Sequence, residues 1–225
     1  MHMLSNKNII VTGSSSGIGL SITEALLKNK ANVLGISRRN PSLSNIETEH
    51  EKLSSVIKEK PISGLISNAG SGKLDSLENF SPKQISEFIK LNLNSHIIIT
   101  RLLLPYFKTI NNGFLIYIGS EASYKVGKYG SIYSACKFGL RGFVKSIRIE
   151  TSLNNIKVTQ INPGIVKTPF YNNLKISPGV EHDEFIEPND ISDVIIDVLK
   201  MRKGTVIDEI NLTSQKKIIK FKRKN

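Results

Sequence analysis

At 225 residues, with 39% hydrophobic and 22% charged side chains, the chain is long enough to bury a sizeable core, and its balance excludes a disordered or fibrous protein. Its single cysteine, Cys136, excludes an internal disulfide framework and fits a reducing compartment. No apolar leader opens the chain, and the longest apolar stretch, residues 96–107, is broken by Thr100, Arg101 and Pro105 and is too short to span a bilayer, so the expectation is a soluble cytoplasmic protein with no membrane partner. Half of the net charge of +12 comes from six lysines and arginines in the last ten residues. A basic tail can meet nucleic acid or an anionic surface. The reading preferred here is a solvated, frayed terminus, residues 214–225, following a single domain over residues 1–213.

The elements alternate between short β-rich runs and longer helical segments, which predicts a parallel sheet flanked by helices. Asn8–Thr12 reads as a buried strand, followed by a glycine-rich loop and a helix to about Lys28. Asn32–Ile36 reads as the second strand and residues 63–67 as the next, with a helix expected over 47–58 in the compact segment between them. Ser81-Pro82 opens a helical region to about Phe107, with proline suited to the first turn. Residues 114–118 form a strand, 131–153 a helix, 157–161 a strand, 188–201 a helix and 205–212 a last strand.

Thr12-Gly13-Ser-Ser-Ser-Gly17-Ile-Gly19 lies between a strand and a helix. Small residues let the backbone turn sharply and approach a pyrophosphate, which then meets free N–H groups at the helix N-terminus. Tyr133-Ser-Ala-Cys-Lys137 places a phenol and an ammonium on one helical face, with Ser120 thirteen residues upstream. A positive charge beside a phenol favours phenolate and is expected to pull its pKa down from about 10.

With these motifs in order, together with Asn68-Ala69-Gly70 and Pro163-Gly164, the chain resembles the short-chain dehydrogenase/reductase family from about Asn6 to Thr213. The resemblance implies a Rossmann-like, doubly wound α/β fold: a parallel sheet of six to seven strands in three layers. It implies an oxidoreductase in which Tyr133 is the acid/base, Lys137 lowers its pKa and binds the nicotinamide ribose, and Ser120 holds the carbonyl oxygen. Asn92, preferred over Asn94, matches the family asparagine of a proton relay. The cofactor site is expected at Gly13, Ser15, Ser16, Gly17, Ile18, Gly19, Asn68, Ala69, Gly70, Tyr133, Lys137, Pro163, Gly164, Ile165 and Thr168. The second strand ends in Ser37-Arg38-Arg39 rather than in an acid, and a guanidinium forks well onto a 2′-phosphate, so NADP(H) is expected over NAD(H), with Arg38 the main contact and Ser37 assisting.

Glu181-His-Asp-Glu184 is read as a polar loop rather than a metal site, since adjacent residues rarely converge on one ion. Cys136 reads as a packing residue and His96 as a core or interface histidine. Phe170, Tyr171, Leu174, Ile176, Val180 and Phe185 are the apolar candidates to cover a small carbonyl or secondary alcohol substrate. The alternatives are a 3-oxoacyl thioester reductase, or a non-catalytic cofactor-sensing or nucleic-acid-associated protein using the tail. A homodimer or homotetramer through the two long helices is implied by the resemblance.

Overall fold

The computed structural model describes residues 4–37 and 60–222. Six strands form one parallel sheet: β1 (Asn8–Thr12), β2 (Asn32–Ile36), β3 (Ile62–Ser67), β4 (Gly113–Ile118), β5 (Ile156–Pro163) and β7 (Glu209–Leu212), ordered β2-β1-β3-β4-β5-β7. This is the Rossmann-like α/β architecture that the sequence pattern implies. The short strand β6 (Ile176–Pro178) lies outside this sheet.

Strand alternation accounts for the layers. Ile9 and Val11 of β1 point to one face, where they join Ile22 and Leu26 of helix α1 (Gly17–Lys28) and Ile191 and Ile195 of helix α5 (Pro188–Lys200). Ile10, between them, points to the other face, into a core with Leu103 and Phe107 of helix α3 (Ser95–Thr109) and Leu140 and Val144 of helix α4 (Ser131–Glu150). Both faces of the sheet are covered, as a parallel sheet requires. Burying one such Ile or Leu side chain contributes about 1.5–3 kcal/mol.

Helix α2 (Pro82–Ile89) starts where Ser81 Oγ accepts from Gln84 N at 3.3 Å and Gln84 Oε1 accepts from Ser81 N at 3.1 Å. That reciprocal cap stabilises the helix start by about 1 kcal/mol. The expected single helix is interrupted by one π-helical segment, Lys90–Asn94, before it resumes as α3. Helix α4 ends at Glu150, three residues earlier than expected, and β7 starts at Glu209 rather than at Thr205. The helix expected over 47–58 lies outside the described residues.

The last residues differ from the frayed terminus expected of so basic a segment. Ile219–Phe221 forms β8, which pairs antiparallel with β6 in the register Ile176 to Phe221, Ser177 to Lys220 and Pro178 to Ile219. Composition made this stretch look solvated, but its backbone pairs with a partner strand some forty residues upstream. Among the described residues no helix is long and apolar enough to cross a membrane.

Candidate active site

The sheet order reverses between β1 and β3, so the crevice at the carboxyl ends of these strands is where a parallel sheet of this type takes a ligand. The two strand ends are tied together there. Thr12 Oγ1 accepts from Asn68 N at 2.9 Å and from Ala69 N at 3.0 Å, and Asn68 Nδ2 donates to Thr12 O at 3.0 Å. Thr12 was not singled out as a site residue, because the threonine of the motif reads only as a strand end.

Gly13 has φ +69°, and a Cβ there would lie 2.8 Å from Asn68 Nδ2. A Cβ on Gly19 would run into the carbonyl of Gly13. The loop is therefore bent tightly onto the first turn of α1, which requires glycine at both positions. Ser16, the residue before α1, makes no side-chain hydrogen bond to the helix start. The first amides of α1 are left to an anion, and the site fits a dinucleotide pyrophosphate.

From this loop a cleft of about 670 Å³ runs toward α4. It brings together Gly13, Ser15, Ser16, Gly17, Ile18 and Ser37 with Asn68, Ala69, Gly70, Asn92, Ser120, Tyr133, Lys137, Pro163, Gly164 and Thr168. Gly19 shapes the loop from beneath and Ile165 is turned to the chain, its carbonyl accepting from Ile186 N at 2.8 Å; neither lines the cleft. Arg38 lies outside the described residues. Ser71, Gly72, Phe170 and Tyr171 also line the cleft. A depression of about 710 Å³ near Asp75 and Phe138 is slightly larger but shares none of these residues, so the cleft is the site.

Asn92 is fully buried, at the π-helical segment. Its Oδ1 accepts from Ser71 N at 3.0 Å and its Nδ2 donates to Phe88 O at 3.0 Å. The side chain thus joins the loop after β3 to the helix.

Ser120 follows β4, its Oγ accepting from Ala122 N at 3.1 Å. Tyr133 is half-buried on α4, with Phe88 and Phe170 rings packed at 6.3 and 6.2 Å. Lys137, one turn on, is 4% exposed and donates to Ile118 O at 3.0 Å. Its Nζ lies 5.8 Å from the Tyr133 ring centre.

The electrostatics depart from the expectation that Lys137 pulls the Tyr133 phenol down. Burial raises the phenol above its ordinary value, and only the Ser120 hydroxyl opposes this. Burial also brings the Lys137 ammonium down to about 8. Desolvation outweighs the pairing that spacing suggests, because both groups sit in low dielectric and the ammonium points to a carbonyl. His96 is buried as expected, its Nδ1 2.7 Å from Ser67 Oγ, and burial drops it to about 3.

Residues 45–178 match the family model described as short chain dehydrogenase, more than half of the chain, and the chain belongs to that family. The match takes in Asn68, Ser120, Tyr133, Lys137 and Pro163; the glycine loop lies before it. The chain is 28% identical over 229 residues to the 3-oxoacyl-[acyl-carrier-protein] reductase of Buchnera aphidicola, covering 91% of this chain and 93% of the relative. It is also 28% identical over 238 residues to the NADP-dependent 3-hydroxy acid dehydrogenase of Schizosaccharomyces pombe, covering 92% of each. In structure it resembles 3-ketoacyl-(acyl-carrier-protein) reductase from Brucella melitensis complexed with NADH, with a TM-score of 0.83 at 18% identity over 96% of this chain and 100% of that one. That likeness establishes the fold.

Proposed function

We propose that the protein is an NADP(H)-dependent oxidoreductase interconverting a small carbonyl and a secondary alcohol. The observation that carries this is the convergence of Ser120, Tyr133 and Lys137 on the cleft that begins at the glycine loop. When bound there, the nicotinamide supplies a hydride to the carbonyl carbon or takes it back. Gly13, Ser15, Ser16, Gly17 and Ile18 would hold its pyrophosphate, Ser37 and Arg38 the adenine ribose end, and Pro163, Gly164, Ile165 and Thr168 the nicotinamide end.

The chain's own residues handle the proton and the oxygen. Ser120 donates a hydrogen bond to the substrate oxygen as negative charge grows on it. Tyr133 gives its phenolic proton to that oxygen; its raised pKa keeps the phenol protonated at neutral pH, the form that reduction needs. Lys137 stabilises the phenolate left behind, and Asn92 positions the inner end of the path that reprotonates it.

The absence of an acid in Ser37-Arg38-Arg39 and the NADP dependence named for the fission-yeast relative support NADP(H). Phe170 and Tyr171 close the cleft near Tyr133 and support a small, partly apolar substrate. The Buchnera relative favours a second reading, a 3-oxoacyl thioester reductase. Exposed Phe138 and Ile149 on α4 support a homo-oligomer. The test is oxidation of NADPH and of NADH against a panel of ketones, diketones, aldehydes and 3-oxoacyl thioesters. Turnover of small ketones with NADPH supports the proposal; no turnover with any carbonyl, or a clear preference for NADH, overturns the corresponding part.

A further inference from the structure

We propose that residues 214–222 are a strap that holds the substrate-facing turn Pro169–Tyr171 against the catalytic cleft, with Lys222 as a positioning residue. The inference rests on the reading of the cleft as a carbonyl site. Nothing in the reaction itself calls for this segment, which follows the last strand of the main sheet.

The strap grips the turn by backbone and side chain together. Strand β8 pairs with β6, and Lys222 N donates to Lys175 O at 2.9 Å. Lys222 Nζ donates to Tyr171 O at 2.6 Å and to Asn172 O at 3.0 Å. One ammonium thus ties together two carbonyls at the end of the turn, Tyr171 O accepting from Leu174 N at 3.1 Å as well. Further back, Lys216 N donates to Asp183 O at 2.7 Å, and its ammonium pairs with the Asp183 carboxylate at 2.7 Å. Lys217 reaches Glu121, the neighbour of Ser120, at 3.6 Å.

What the strap holds touches the chemistry. The Phe170 ring lies 6.2 Å from the Tyr133 ring, and it packs so closely over Gly72 that a Cβ there would meet Phe170 Cζ at 2.5 Å. Displacing the turn would therefore move the wall of the cleft beside the phenol. The attachment lies at the surface. Three-residue strands are marginal alone, and exposed ion pairs are worth little and are screened by salt. It is the backbone pairing and the Lys222 bonds acting together that hold the turn closed, which narrows the cleft and selects small substrates.

The test compares the full chain with a chain ended after Thr213 and with full-length Lys222→Met. The expected result for both variants is an unchanged NADPH affinity and a KM for the preferred ketone raised about tenfold, the scale of one lost charge-assisted hydrogen bond, with kcat changed much less. Hydrogen exchange at Ser177, whose amide faces β8, and proteolysis within residues 169–187 should both accelerate. Unchanged KM with unchanged exchange and proteolysis overturns the strap. Should the shortened chain fail to fold, Lys222→Met decides alone. If the full chain turns over no carbonyl, the functional reading fails separately, and exchange and proteolysis still judge the strap.

Discussion

The ammonium of Lys137 donates to the carbonyl of Ile118 across 3.0 Å, joining α4 to the end of β4 two residues before Ser120. This bond orients the lysine within its turn of helix and sets how the serine and tyrosine face one another. It also fixes a charge in a place where charge is costly: burial brings Lys137 from an ordinary 10.5 to about 8.

The consequence for stability has a definite sign. Below pH 8 both folded and unfolded chains carry the proton, and the folded chain bears the full cost of the buried charge. Between about 8 and 10.5 the unfolded chain holds more protons, so this contribution to stability rises with pH. Lys137→Met removes the titration while losing the bond to Ile118 at every pH. The Tm of wild type is therefore expected to rise relative to that of the variant from pH 7 to pH 10 in cofactor-free protein, so that variant minus wild type becomes less positive or more negative. A difference that stays constant would place the ammonium in a solvated site.

Tyr133→Phe removes the proposed proton donor without changing the apolar contacts to Phe88 and Phe170. Turnover should fall by about 10²-fold or more, the usual contribution of a positioned acid. NADPH binding, followed by fluorescence titration, should stay within about twofold, a shift too small to signal a lost hydrogen bond. Ser120→Ala should lower kcat by about 10²-fold with little change in Tm, as expected when a donor to a developing oxyanion is removed.

Gly19→Ala tests the cradle. A Cβ at this position collides with the Gly13 carbonyl, so the loop must open. The expected outcome is loss of NADPH binding, measured by calorimetry. Gly142 offers the contrast, since a Cβ there meets nothing within 4 Å, and Gly142→Ala should bind normally and gain several tenths of a kcal/mol in helix stability.

His96 predicts a separate acid limb. It folds neutral, with its pKa depressed to about 3 from 6.5, so the unfolded chain takes up a proton first as pH falls. Stability is full above pH 6.5 and is lost at about 1.4 kcal/mol per pH unit toward pH 3. His96→Gln should flatten that slope in urea unfolding measured between pH 6.5 and 4.5. An unaltered slope would show that other groups dominate acid unfolding.

The main sheet was legible because its strands are short runs of β-branched residues between glycines and polar turns, as in Asn8–Thr12. That Tyr133 and Lys137 share the candidate site's cleft was legible because their spacing has a geometric meaning. Three things were not visible. Strand β8 escaped because its partner is remote and its own residues are lysine-rich. The direction of the Tyr133 shift escaped because spacing gives proximity but not dielectric. Thr12 escaped because a threonine ending a strand has no local mark of the two amides it will accept from across the crevice.

The π-helical segment at Lys90–Asn94 has a consequence for how this chain can change. It winds one more residue into its turn than an α-helix does. Its five residues turn the chain about as far as four residues of α-helix do, so deleting one of them would restore regular winding and leave α3 in phase with α2. Ile99, Leu103 and Phe107 would keep the face that meets the sheet, whereas Asn92, inside the widened turn, would lose its place against the loop after β3. The widened turn therefore lets the position of Asn92 be set apart from the core beneath it, and a one-residue deletion there changes the first while sparing the second.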